Sequence, residues 1–388
     1  MTVAHPITRA WISAARTGAQ NYDEFADDAE ITEIITANPD SALAVEMPHL
    51  APGSLGKTFA DSLPDAAARL ADQQARGAYR PAEQVAVLYR ISAPDRPAAV
   101  GLWAMVDTDQ ISTSADEPGL VIRNEDVFLS KVRERVALAE TLGTLLSPVL
   151  LLQTARGEEL HAALVAATES AGEPDAADVD QSGRTHEIWT LPDGPQQRQL
   201  LELAGGGELV VADGNHRSLA AQTGGFPRFL AVITTPGSVA IQPYNRLVSE
   251  LPVPVSELAA LLRDAGAEVG TGTVELYAQG FRHAVRLPAD PALPEVDNLD
   301  HARVERVLFG DILGLDPGDK RINYVGGDYP AEWLRGEVDA GRAGLAVLIP
   351  PVTVDDFVTV NLQRQKLPRK STWFTPKARA GLVLAAIR

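Results

Sequence analysis

Glu208-LVVADGNHRSLAAQT-Gly224 is the stretch on which the fold turns. Leu209, Val210, Val211 and Ala212 read as a buried strand, Asp213-Gly214 as a turn, and the residues from Asn215 onward as a helix that begins at once. A strand delivered straight into a helix start belongs to an α/β architecture. It is also a device for holding an anion. Gly214 lets the backbone approach closely, the first N–H groups of the helix have no intrahelical acceptor, and the helix dipole adds positive potential there. His216 and Arg217 can donate from the same turn, and a guanidinium can grip two phosphate oxygens together. Asp213, at the strand end, is placed for a metal ion or for capping the helix. The bland alternative is an Asx cap with incidental polar neighbours.

Outward from this stretch, alternation and 3.6-residue periodicity predict α/β units along the whole chain. Helices are expected over 29–36, 62–74, 126–142, 161–168, 196–203, 255–265, 302–313 and 354–363. Strands are expected over 41–47, 84–92, 99–107, 148–154, 185–191, 228–235, 273–277, 283–287 and 345–349. Residues 114–119 read as a loop and residues 172–183, acidic and rich in small side chains, as an exposed connection. No internal repeat appears. These elements fall into an α/β stretch over 1–110, a stretch over 111–240 containing the Asp213 box, and an α/β stretch over 241–388 ending in a basic tail.

Composition removes several classes of function. The 388 residues contain no Cys, so disulfide frameworks, thiol nucleophiles and Cys-ligated metal sites are excluded. No apolar run approaches the roughly 20 residues of a membrane span, and the first residues lack a signal-peptide pattern, which predicts a cytoplasmic chain with no membrane partner. Thirty-four basic against 52 acidic residues, a formal net charge of −18, oppose sequence-independent binding of nucleic acid. Against that acidity the tail stands out, with Lys366, Arg369, Lys370, Ser371, Thr372 and Lys377 close together. Lysines interleaved with hydroxyls suit a loop that folds over phosphates, although a basic solvated terminus has the same composition.

Two further segments carry weaker signals. Ala51-PGSLGK-Thr58 satisfies the permissive phosphate-loop pattern, with Ala104-MV-Asp107 as a possible second carboxylate box, and Lys57 and Thr58 would make the chain a P-loop NTPase. A true loop of this kind leaves a strand directly. Here Pro48-His49-Leu50 intervenes, and Pro52 removes a donor where donors are needed, so the match reads as coincidence. The His residues are scattered and no H-E-x-x-H occurs, so His-based metal sites have no support.

The run VVADGNHRSLAA resembles the D-G-H-H-R box of a bacterial and archaeal family known as domain of unknown function ten-fifteen. LPRKSTWFTPKARAGLV is similar to that family's closing P-K-S-T-x-F-x-P-K signature. IRNEDVFLSKVRER resembles its R-H-E segment, Pro243-YNRL-Val248 its P-T-H-R-L-V, and Asn323-Tyr324 its I-x-Y. The resemblance implies a ParB/sulfiredoxin-like nucleotide-binding fold related to free L-serine kinases, with the stretch over 111–240 as its core and the basic tail of 241–388 closing the site there. It therefore implies a nucleotide-dependent kinase, using ATP or ADP with Mg, that phosphorylates the hydroxyl of a small metabolite such as serine.

Carried over by residue, the resemblance makes Glu125 the base for the substrate hydroxyl, Asp213 the magnesium-holding or substrate-orienting carboxylate, and His216 a catalytic and phosphate-binding group. Gly214, Asn215, Arg217, Lys370, Ser371, Thr372 and Lys377 become the remaining nucleotide and phosphate contacts, and Asn124, Asn245 and Arg246 substrate contacts. One departure is systematic: Asn124, Asn215 and Asn245 stand where the family usually has His. An amide reaches as far as an imidazole but cannot carry a proton. That departure implies an altered nucleotide or acceptor, or a nucleotide-binding regulatory protein without transfer.

Overall fold

The computed structural model describes residues 2–387 apart from 26, 95, 113–118, 126, 128 and 317. The loop expected over 114–119 falls almost wholly outside the described residues, as does the first part of the helix expected from 126. The chain is mixed α/β and divides into two compact units, one formed by Met1–Ala240 with Pro376–Arg388 and the other by Ile241–Thr375.

In the first unit the strands form one curled mixed sheet. Leu209–Asp213 runs antiparallel to Val149–Gln153 and parallel to the short strand Val121–Ile122. Val149–Gln153 is in turn parallel to Arg228–Thr234, which leads on through Arg96–Asp107, Tyr79–Ala93 and Ile7–Ser13 to Val383–Ala386. Segments 1–110 and 111–240 thus share one sheet, and residues from the far end of the chain close onto it. The core is aliphatic: Leu88, Leu102, Leu151, Leu160, Leu164 and Val211 are each excluded from water. Burying such a side chain contributes about 1.5–3 kcal/mol, which fixes the strand ends that carry polar groups.

The second unit holds a separate five-stranded sheet in the order Phe281–Arg286, Glu268–Ala278, Leu345–Leu348, Asn245–Val248, Ile322–Val325. Val255–Asp264 and Ala331–Asp339 cover it, with Leu258, Leu262, Leu334 and Val338 buried against the strands.

Three of the expected stretches take a different form in the structure, and Ile7–Ser13, Asn245–Val248, Ile322–Val325, Ala331–Asp339 and Val383–Ala386 are elements with no counterpart in the expectation. The strand expected over 41–47 is a short helix, Leu43–Glu46, in which every residue is buried. A segment apolar on all sides has no period from which to read its conformation. The exposed connection expected over 172–183 contains a strand, Ala176–Val179, paired antiparallel to Thr185–Leu191. The helix expected over 302–313 winds as a π-helix from Val304 to Ile312, after an α-helical turn at Asp300–Arg303.

Candidate functional site

Strict alternation along Leu209–Asp213 would set Asp213 on the same face as Leu209 and Val211, inside the aliphatic core. The ladder avoids this with a bulge. Val211 faces Leu151 and Asp213 faces Leu150, so Ala212 is the extra residue and the carboxylate is re-aimed. Gly214 follows with φ +93°, and a Cβ there would lie 3.1 Å from the Arg217 guanidinium and 3.2 Å from the Val149 Cα. Glycine is required on both counts. The helix Asn215–Thr223 then starts with no side-chain cap, so the capping role open to Asp213 is not used.

Asp213 instead takes two cations. Its Oδ1 accepts from Lys377 Nζ at 2.8 Å, although the two residues lie 164 positions apart, and its Oδ2 pairs with the Arg217 guanidinium. Burial opposes the charge on Asp213, but Lys377 and Arg217 overcome it and hold the carboxyl well below the usual range. Arg217, only 8% exposed, also donates to the Pro148 carbonyl and to Asn21 Oδ1 at 3.2 Å. The guanidinium expected to grip phosphate is thus turned toward protein acceptors. Both Asp213 oxygens already face cations, and no group of three metal-ligating side chains occurs among the described residues. The residues as placed do not fit a protein-held magnesium on Asp213, and no step is drawn through one.

Asn215, on the first helical turn, donates from Nδ2 to Asn124 Oδ1 at 2.5 Å, so two of the three asparagines that replace histidine are partners. Asn215 Oδ1 is buried with no hydrogen-bond partner among the described residues. Glu125, half-buried, is one peptide unit from that contact, and His216 is half-buried on the same turn as Asn215. Asp213, Gly214, Asn215, Arg217, Asn124 and Lys377 are therefore brought together within the first unit.

The other expected site residues belong to the second unit. Asn245 Oδ1 accepts from Ile349 N at 2.9 Å, a structural role between strands. Arg246 is fully buried, paired with Glu305 at 3.0 Å and lying 4.3 Å over the Tyr324 ring. Lys370 sits 5.4 Å from the Tyr244 ring centroid, Ser371 donates to the Pro368 carbonyl at 2.6 Å, and Thr372 is half-buried.

Sequence reasoning did not single out the residues that position Lys377. Two residues on, Arg379 is held by an ion pair to Asp178 at 2.8 Å, by the Gly18 carbonyl at 2.9 Å, and through its N–H by the Tyr89 hydroxyl at 3.2 Å. Asp178 lies on the Ala176–Val179 strand, within the stretch expected to be an exposed connection. The Ala51–Thr58 segment forms no phosphate cradle: a turn of 3-10 helix, Pro48–Leu50, precedes it, Lys57 pairs with Asp65, and the Thr58 hydroxyl bonds Asp61.

The chain belongs to the family described as a protein of unknown function (DUF1015), whose pattern it matches over residues 7–302. Among solved structures it is similar to a free serine kinase in complex with AMP, at 14% identity and a TM-score of 0.41, over 70% of this chain and 87% of that one. It is similar also to a conserved hypothetical protein from Pyrococcus furiosus, at 14% identity and 0.40, over 72% of this chain and 95% of that one. A third is SbnI with C-terminal truncation from Staphylococcus aureus, at 12% identity and 0.40, over 72% and 87%. No curated protein matches the chain. No helix among the described residues is long and apolar enough to cross a membrane.

Proposed function

We propose that this chain binds a nucleotide, ATP or ADP, with its phosphates at the helix start after Gly214, and transfers the terminal phosphoryl group to the hydroxyl of a small metabolite, with free L-serine the first candidate. The observation that carries the reading is the cluster at the strand end. One carboxylate, Asp213, faces two cations, Lys377 and Arg217, beside a helix terminus that no side chain caps. Two cations on one carboxylate, beside a helix terminus with no side-chain cap, suit an incoming phosphate.

In this reading Lys377 exchanges Asp213 for phosphate oxygens, while Arg217 stays as the clamp that holds Asp213 and the Pro148 carbonyl. The acceptor oxygen forms a bond to the terminal phosphorus, its proton passes to Glu125, and the bond from phosphorus to the bridging oxygen breaks to release the shortened nucleotide. Positioning and charge neutralisation supply most of the rate.

Binding without transfer is the second reading. The Asn124–Asn215 amide pair favours it, since two amides cannot relay a proton. A matrix of nucleotides against hydroxyl acceptors, followed by phosphorus NMR, separates the two. A new phosphomonoester signal, reduced by about 10²–10⁴-fold in single turnover by Glu125→Gln at unchanged nucleotide affinity, is the result expected of the kinase. Nucleotide affinity without a product signal establishes the binder. Absence of any nucleotide affinity in calorimetry overturns both.

A further inference from the structure

Within the first unit a cavity of about 50 Å³ lies against the Asp213 cluster, with Arg217 in its wall. That is several times the roughly 10–15 Å³ that one water needs. Leu138 and Phe229 give it apolar surface, and Arg135, Glu46 and Ser147 give it polar groups besides Arg217. The phosphate chemistry above makes no use of this volume.

Arg135 is buried, at 6% exposure of its side chain, and its acceptors are poor. Nη1 reaches the Glu46 carbonyl at 3.3 Å, Nη2 reaches only the Met47 thioether at 3.8 Å, and Nε has no acceptor among the described residues. The Glu46 carboxylate stands 3.8 Å from Nη1 and accepts the Ser147 hydroxyl at 2.6 Å. A guanidinium that holds a carboxylate well does so through two parallel bonds at about 2.7–2.9 Å. The rings of Tyr22 and Phe59, 4.3 and 4.9 Å from the Arg135 Cζ, hold the guanidinium in place. Taking such a cation out of water without full pairing is costly, and a rigid, under-satisfied guanidinium on a cavity wall recovers that cost by receiving an anion.

We infer that this cavity binds a small zwitterionic amino acid, its carboxylate on Arg135 and its ammonium group on Glu46. The apolar wall limits the side chain to a short one, and the Arg217 wall places that side chain beside the Asp213 cluster. The role of the amino acid as phosphoryl acceptor rests on the function proposed above. Its binding does not.

The test is calorimetry on the full chain without nucleotide, using L-serine, L-homoserine, ethanolamine, which lacks the carboxylate, and 3-hydroxypropionate, which lacks the ammonium group. At least one of the two amino acids is expected to bind with a dissociation constant of about 1 mM or tighter, and each truncated analogue at least about 10-fold more weakly. Arg135→Lys, which keeps the charge but loses the planar fork, is expected to weaken binding by about 10-fold or more. Ala139→Leu fills the cavity and leaves its charges in place, so it decides the matter if the Arg135 variant fails to fold. Binding of ATP and ADP is measured in the same proteins. Loss of amino-acid binding in the Ala139 variant with nucleotide affinity intact supports the cavity as the receptor. No binding of either amino acid to the wild type, equal affinity for ethanolamine, or full affinity in the Ala139 variant overturns this inference and leaves the nucleotide reading standing. Failure of nucleotide binding with amino-acid binding intact does the reverse.

Discussion

Each unit of the molecule buries an arginine beside a carboxylate, and the two pairs are built to different ends. Arg246 in the second unit meets Glu305 one to one, stacks on Tyr324 and has no exposure at all. Its charge is balanced and sealed. Arg217 in the first unit meets Asp213 together with Lys377, so two cations share one carboxylate, next to a helix start that no side chain caps. A one-to-one, stacked pair holds strands in place, whereas two cations on one carboxylate at a helix terminus are, in the reading proposed above, the place for an anion. The resemblance of sequence treated both arginines as site residues, and only their surroundings separate them.

Breaking each pair from its acidic side gives the largest effect. Asp213→Ala and Glu305→Ala are each expected to lower unfolding free energy by about 3–5 kcal/mol in urea titration, because each strands buried cationic charge. Inorganic phosphate should then restore part of the loss in the Asp213 variant, by filling the space between Lys377 and Arg217, and none in the Glu305 variant. Equal rescue in the two would remove the contrast. The same carboxylate sets a pH signature. Its folded pKa is depressed, so its contribution to stability is present at neutral pH and is lost as pH falls below the unfolded value of about 3.9. Asp213→Asn should flatten that acid limb of the stability curve.

A smaller effect sharpens the comparison at two glycines. Gly214 and Gly280 both have positive φ, but a Cβ at Gly280 meets nothing within 4 Å while one at Gly214 meets Arg217 and Val149. Gly280→Ala should therefore cost about 1–2 kcal/mol, the strain of the left-handed conformation alone. Gly214→Ala should cost more and also weaken nucleotide binding, which calorimetry would show. Smallest of all is Lys57→Ala. The Lys57–Asp65 pair is 43% and 31% exposed, and its loss should shift stability by at most about 1 kcal/mol and leave nucleotide affinity unchanged. Lost affinity in that variant would falsify the view of Ala51–Thr58 as an ordinary loop.

The strand and helix around Asp213 were legible because an apolar run, an Asp-Gly turn and a polar helix start follow one another in the chain. Thr185–Leu191 was legible to the residue for a similar reason. Leu43–Glu46 was not, since each of its residues is buried and a buried helix of one turn has the composition of a strand. Ala176–Val179 was hidden by its acidic, partly exposed surroundings, which are those of an edge strand as much as of a loop. At the site itself, the basic tail stood out by composition and by resemblance, but the pairing of Lys377 with Asp213 itself was not legible, because no local pattern encodes a contact across that separation. The inward turn of Arg217 was not legible at all. It depends on the Pro148 carbonyl and Asn21, which reach the same point from other strands and loops.

The return of residues 376–388 to the first unit has a consequence in time. The Ile241–Thr375 stretch is inserted between most of the first unit and the residues that complete it, the Val383–Ala386 strand and Lys377. A ribosome adding about 5–20 residues per second needs on the order of 10 s to traverse that insertion. During that interval the first unit has Asp213 and Arg217 but neither its last strand nor its lysine. The second unit, whatever else it does, is a delay line: the Lys377–Asp213 pair cannot form before the second unit has been made, and a chain broken off inside it never acquires that lysine.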